Sequence, residues 1–221
     1  FYDDIFTLNK KRLHPLCNEF AERGLSFRCN GKSGVNDSED YLKLKEAGCS
    51  EIAFGIESGS QHVLNMMKKG TTVEQAYKAI RLCKEANIET TGYFMIGNPG
   101  ESEEDAIKTI ELAKEIDLDY ATFGVTIAYP NTEIYHWALQ NNCLKDRQWY
   151  MKEVDTDIVG TREINGGALD KEDFPLDVQL ELCKRANKEF YFRPSYIIKK
   201  IAKIRSFSDL TRNLKAAAEI M

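Results

Sequence analysis

The chain has 221 residues, 43% hydrophobic and 29% charged, enough apolar material for a core of its own without a disulfide framework. A formal charge of −5 argues against a general nucleic-acid surface, and no apolar run reaches the ~20 residues that span a bilayer, so neither nucleic acid nor membrane is an expected partner. Six cysteines, at 17, 29, 49, 83, 143 and 183, come no closer than twelve residues, which excludes a Cys-x-x-Cys redox pair and a local metal knuckle. Their expected role is packing, and no metal ligand is read in the chain. The chain opens at Phe1 without a methionine or a signal pattern, and reads as the continuation of a longer, cytoplasmic protein.

Residues 1–6 read as the tail of a strand ending at Asp3 and Asp4. Residues 8–24 follow as a helix with Leu13, Leu16, Cys17 and Phe20 on one face, Pro15 an awkward interior residue and Gly24 the stop. A short strand over 25–30 exits through the polar run 30–34, and a helix over 38–47 closes at Gly48. In 51–60 an apolar run, with Ile52, Phe54 and Ile56 flanked by the small Ala53 and Gly55, breaks into Glu57, Ser58, Gly59 and Ser60. Both faces of such a strand can be packed, as parallel strands covered by helices require. A short helix with Val63, Leu64 and Met67 ends at 68–70. Thr72 with Gln75 has capping-box spacing and opens a helix to about residue 86.

A strand over 88–96 leads into the turn 97–101, and Ser102 with Asp105 starts another helix. A strand over 120–129 closes at Pro130, and 132–140 is the helix after it. These are five strand-then-helix units of about 25 to 30 residues, the size of a right-handed crossover. Alternation of this kind predicts an α/β fold with a parallel sheet, open or closed into a barrel. Past residue 142 it stops. Residues 143–170 are mixed, with a break at Gly166 and Gly167, and 175–220 read as three helices interrupted at Pro194 and near Ser206. The expected domains are therefore 1–142, the α/β core, and 143–221, an irregular segment with a helical extension.

In a parallel sheet the carboxyl ends of the strands share one side, where α/β folds place their ligands. Asp3 and Asp4, Cys29 and Asn30, Glu57 and Ser58, and residues 97–100 and 128–130 collect there. Adjacent carboxylates accept hydrogen bonds from an ammonium, and Glu57 or Ser58 can take a ribose hydroxyl. Glycines let backbone approach a flat ring, and Lys69 can meet a carboxylate. Each motif also has a plainer reading, as a helix entry, a turn or a helix end. Two other functions are open on these residues alone. One is a non-redox barrel enzyme using Asp3, Asp4 and Glu57 as metal or acid–base carboxylates; the other is a non-catalytic binding module.

The segments 1–7, 47–49, 54–60, 67–71 and 97–101, in that order, resemble the radical S-adenosylmethionine (radical SAM) enzymes. The resemblance is closest to the branch with an N-terminal cobalamin-binding domain, which includes anaerobic magnesium-protoporphyrin monomethyl ester cyclase, and residues 190–194 are similar to tails in that branch. It implies an incomplete (β/α)6 partial barrel lacking its first βα unit. It implies S-adenosylmethionine as cofactor, its amino group at Asp3 and Asp4, its ribose at Glu57 and Ser58, and its carboxylate near Lys69. The adenine wall falls at residues 93–97, with the backbone of Met95 and Gly97 foremost, and Lys32 is a further candidate contact. The family's Cys-x3-Cys-x2-Cys, which holds a 4Fe–4S cluster, is absent from this sequence, and Asn131 replaces the glycine of the family's Pro-Gly-Thr corner. The activity implied for the full-length parent is reductive cleavage of S-adenosylmethionine to a 5′-deoxyadenosyl radical that takes hydrogen from a small-molecule substrate. That parent would carry the cluster and a cobalamin domain upstream and draw electrons from flavodoxin or ferredoxin. The chain itself is expected to hold no cluster and to be inactive.

Overall fold

The computed structural model describes residues 1, 3–151, 166–203 and 211. Strand and helix alternate through the first 140: α1 (Lys10–Glu22), β1 (Phe27–Gly31), α2 (Ser38–Glu46), β2 (Cys49–Glu57), α3 (Gln61–Met66), α4 (Val73–Glu85), β3 (Glu89–Ile96), α5 (Glu103–Glu115), β4 (Tyr120–Val125) and α6 (Glu133–Gln140). The helical extension follows as α7 (Leu176–Tyr191) and α8 (Pro194–Lys203). The strands form one sheet in the order β1-β2-β3-β4, and β1 with β2 and β2 with β3 are parallel. Each new strand is added beside the last. A doubly wound sheet reverses direction at a switch point, whereas this progression is that of a (β/α) barrel.

Two compact units are distinguished, Phe1–Met95 with Glu104–Thr122, and Ile96–Glu103 with Phe123–Met221. In the first, Leu13, Leu44, Ile52, Phe54, Leu64, Ile80 and Ile110 are completely or almost completely buried. These are the apolar positions that the helical and strand periods single out. The helix starts follow local chemistry. The box predicted at Thr72 and Gln75 forms in both directions, and α2 carries a second one, Asp37 with Asp40, one residue before its expected start. In the second unit, Ala128, Tyr135, Ala138, Cys143 and Leu169 make one buried cluster.

Three expectations are corrected. Residues 1 and 3–6 are not a strand: 4–7 form a turn, and among the described residues two backbone bonds tie the segment to β1, from the Phe1 ammonium to Arg28 O (2.8 Å) and from Phe6 N to Asn30 O (3.0 Å). Phe1 and Phe6 stack on each other and pack around Phe20 and Phe27, so an aromatic cluster places this segment where a ladder was expected. Four strand–helix units result instead of five. The last strand ends at Val125 rather than near 129, because Ile127 turns to an antiparallel bridge with Ala168. The Gly166-Gly167 break is a close approach, since a Cβ on either glycine would lie within 2.3 or 2.6 Å of Trp149. Ser206 and the third expected C-terminal helix lie outside the described residues.

Candidate functional site

The sharpest local departure in the first unit is the end of β2. The pairing with β3 slips between Gly55 and Glu57, and Glu57 takes a left-handed backbone with φ 69°. Ser58 and Gly59 then turn onto α5. Ser58 Oγ lies 3.1 Å from Thr109 Oγ1, which also accepts the Gly59 N–H at 2.9 Å, and Ser60 N–H donates back to Ser58 Oγ. A Cβ on Gly59 would come within 2.4 Å of the Lys108 carbonyl, so only glycine lets this turn seat. The anchored turn fixes the direction in which Glu57 points.

Glu57 points into a cleft of about 430 Å³. Its floor is Gly31, Ala53 and Gly55, and its walls carry Asp4, Asn30, Lys32, Lys69 and Tyr93. Lys69 Nζ donates to Glu57 Oε1 at 2.6 Å, and the pair is only partly exposed. A Cβ on Gly55 would meet that same oxygen at 2.4 Å and Lys69 Nζ at 2.9 Å, so the ion pair folds across the glycine. The small residues of β2 that suggested helix packing on both faces leave room for a ligand on one. The cleft carries both signs of charge, the carboxylates of Asp4 and Glu57 and the ammonium groups of Lys32, Lys68 and Lys69.

Of the expected site residues, Asp4, Glu57 and Lys69 come together here, with Lys32. Asp3 does not join its neighbour: its carboxylate pairs with Arg12 Nη2 at 2.8 Å, and its carbonyl accepts from Asn30. Ser58 is fully buried and held by Thr109, away from the cleft lining. Met95 is half-buried on β3 and is not among the lining residues; the ring that reaches the cleft from β3 is Tyr93. Gly97 belongs to the second unit, where its N–H donates to Glu101 Oε2 at 2.6 Å. Tyr93 was expected only as the start of the adenine wall at 93–97, and the Gly55 floor was passed over as a binding group. Strand alternation carries the signal, because 53, 55 and 93 share one face, Gly55 pairing with Tyr93.

The six cysteines are all buried and unbridged. Burial pushes the thiols of Cys17 and Cys183 up to about 11 and about 12 and that of Cys83 upward too, while the hydrogen bond between Cys29 and Cys49 raises Cys29, with burial behind it, and lowers Cys49. No group of three or more cysteine, histidine or acidic side chains suited to a metal ion occurs among the described residues. No helix among them is long and apolar enough to cross a membrane.

The Radical SAM superfamily model matches residues 1–113. The chain is similar to an uncharacterised methyltransferase of Pyrococcus horikoshii, 32% identical over 209 residues, covering 94% of this chain and 43% of that protein. It is also similar to the anaerobic magnesium-protoporphyrin IX monomethyl ester cyclase of Cereibacter sphaeroides, 30% identical over 141 residues, or 60% of this chain and 23% of that one. The chain thus spans less than half the length of these relatives. Among solved structures it shares its fold with the radical S-adenosylmethionine methyltransferase TsrM of Kitasatospora setae, which holds cobalamin and a 4Fe–4S cluster. That likeness has a TM-score of 0.58 at 23% identity and covers 64% of this chain and 30% of that one. With just over half of its length, and every residue of the cleft, inside the matched segment, the chain belongs to the radical SAM superfamily.

Proposed function

We propose that the chain is the part of a radical SAM enzyme that holds S-adenosylmethionine, the whole protein being of methyltransferase or cyclase type and acting on a small-molecule substrate. The observation that carries this reading is the cleft over Gly55 with both carboxylates and ammonium groups in its lining, a set that suits a zwitterion joined to a nucleoside. Asp4 takes the ammonium of the methionyl group, and Lys32, which makes no ion pair among the described residues, takes its carboxylate together with Lys69. Glu57 has one oxygen on Lys69 and the other free to accept a ribose hydroxyl. Tyr93 supplies the flat wall. Asp3, Ser58, Met95 and Gly97 have no ligand contact in this assignment; Ser58 positions Glu57 through the turn.

The family's reaction class is reductive cleavage of S-adenosylmethionine, with the resulting 5′-deoxyadenosyl radical taking hydrogen from a substrate. A 4Fe–4S cluster needs three closely spaced thiolates. The sequence has no Cys-x3-Cys-x2-Cys, its six cysteines are all buried, and no metal-binding cluster of them occurs among the described residues, so the residues present do not fit the cluster. No step through it is assigned to this chain. After anaerobic treatment with iron and sulfide, the 221-residue chain is expected to show no 4Fe–4S charge-transfer absorption and, with dithionite, no 5′-deoxyadenosine. Either signal would contradict the assignment.

Binding is tested separately. Equilibrium dialysis should show S-adenosylmethionine bound to the chain and about tenfold weaker binding to the Glu57→Ala variant, the worth of one charge-assisted bond. Undetectable binding, or equal binding by the variant, would overturn the reading. Turnover that depends on a divalent cation would favour the carboxylate enzyme instead.

A further inference from the structure

The sheet face that floors the cleft continues beyond it. Side chains alternate along a strand, so Arg28 and Asn30 of β1, Glu51, Ala53 and Gly55 of β2, and Thr91 and Tyr93 of β3 share this face. A second cavity of about 570 Å³ lies there, with Arg28, Asn30, Ser50, Glu51, Ala53 and Tyr93 in its lining. Asn30, Ala53 and Tyr93 line both cavities, so the two adjoin. Glu51 is six residues from Glu57 on β2, about 20 Å along the strand. The two cavities therefore make one trough with Tyr93 at its middle.

The far end of the trough is wired asymmetrically. Thr91 Oγ1 donates to Glu51 Oε1 at 2.6 Å, and Arg28 Nη1 stands 3.5 Å from Glu51 Oε2. Both Glu51 oxygens are thus engaged, while Arg28 spends one donor on a long contact and keeps a side chain that is 74% exposed. A guanidinium has five donors in a plane and is most strongly satisfied by two parallel bonds to a carboxylate. Glu51 beside it disfavours a doubly charged phosphate by like-charge repulsion. Tyr93, with 45% of its surface exposed, and Ala53 offer a flat apolar wall between this end and the nucleoside cleft.

We propose that the second cavity is the substrate subsite and that its substrate is a flat molecule bearing one carboxylate, held by Arg28 with the flat part against Tyr93. This rests on the reading that the adjoining cleft holds S-adenosylmethionine. The trough then presents the substrate's flat portion, rather than its acid, to the nucleoside end.

Naphthalene-2-carboxylate and the neutral naphthalene-2-carboxamide serve as probes, with binding to the 221-residue chain followed by ligand-observed NMR. The carboxylate should bind at least about tenfold tighter than the amide, a preference lost in Arg28→Gln, because the charge-assisted pair is gone. The exposed position of Arg28 leaves folding untouched, and S-adenosylmethionine binding should be unchanged. Glu51→Gln keeps the bond from Thr91 but removes the competing charge, so it should bind the carboxylate several-fold tighter, a gain that a merely structural residue would not produce. Equal binding of the two probes, equal binding by Arg28→Gln, or displacement of the carboxylate by S-adenosylmethionine would overturn the subsite while leaving the nucleoside cleft standing. Loss of S-adenosylmethionine binding by the unaltered chain would instead remove the reading on which the subsite rests.

Discussion

Replacing Gly97 with alanine is expected to destabilise the second unit by about 3 kcal/mol or more. Gly97 has φ 92°, outside the conformations that an L side chain adopts without strain, and a Cβ built there lies 2.0 Å from Gln179 Oε1. Gln179 cannot swing aside cheaply. It is 0% exposed, and its Nε2 donates to the carbonyls of Leu169 (2.9 Å) and Phe174 (2.7 Å). Moving it would strand two buried acceptors, on top of the backbone strain. Both tryptophans of the chain, Trp137 and Trp149, belong to this unit, so denaturant unfolding followed by their fluorescence reads it directly. Pairing Gly97→Ala with Gln179→Ala should cost less than the two single changes added together, by at least about 1 kcal/mol, because the second change removes the obstacle met by the first. Strict additivity would place the strain elsewhere.

Gly97 also shows where sequence reasoning reached and where it stopped. Its glycine was legible as a close backbone approach, but the approaching group is Gln179, brought in by α7 from eighty residues away, and no local pattern announces that. Elements written in local chemistry were read well. The Thr72–Gln75 box, the stop at Gly48 and the Ile52, Phe54 and Ile56 face of β2 all appear where spacing put them. The expected strand at the start failed because Phe1 and Phe6 pack in a ring cluster rather than along a ladder. Within the site, Glu57 and Lys69 were legible as residue types at a strand end and a helix end. Their pairing across Gly55 depends on the slip in register, which is a tertiary event. Lys171 was invisible altogether. It sits in the polar run 170–173, which reads as solvated surface, yet it is almost fully buried.

That buried lysine bears on the second large effect, a loss of stability as pH rises toward neutrality. Glu101 is 1% exposed, and its Oε2 accepts from Gly97 N (2.6 Å), Asn98 N (2.7 Å) and Asn98 Nδ2 (3.2 Å), while its Oε1 is buried without a partner. Lys171 Nζ donates to the carbonyls of Asn98 (2.9 Å) and Glu101 (2.7 Å), which brings its charge near the carboxyl. Burial pushes the carboxyl up to about 7 from an ordinary 4.5, against the pull of the three donors and the lysine. Between those two values the folded chain holds a proton that the unfolded chain has released. The unfolded state therefore binds fewer protons, and stability falls as pH rises. The contribution is complete below pH 4.5, is lost through about 7 and is flat above, with a span of about 3 kcal/mol. The lowered carboxyls, Asp37, Asp40 and Glu74, act with the opposite sign and in a more acidic range. Urea unfolding at several values between about pH 5 and pH 8 should show the decline in the unaltered chain. Glu101→Gln, which cannot ionise, should lack it, so the difference between the two curves isolates this group from every other titration. Parallel curves would mean that Lys171 and the three N–H donors outweigh burial and keep the carboxylate charged throughout.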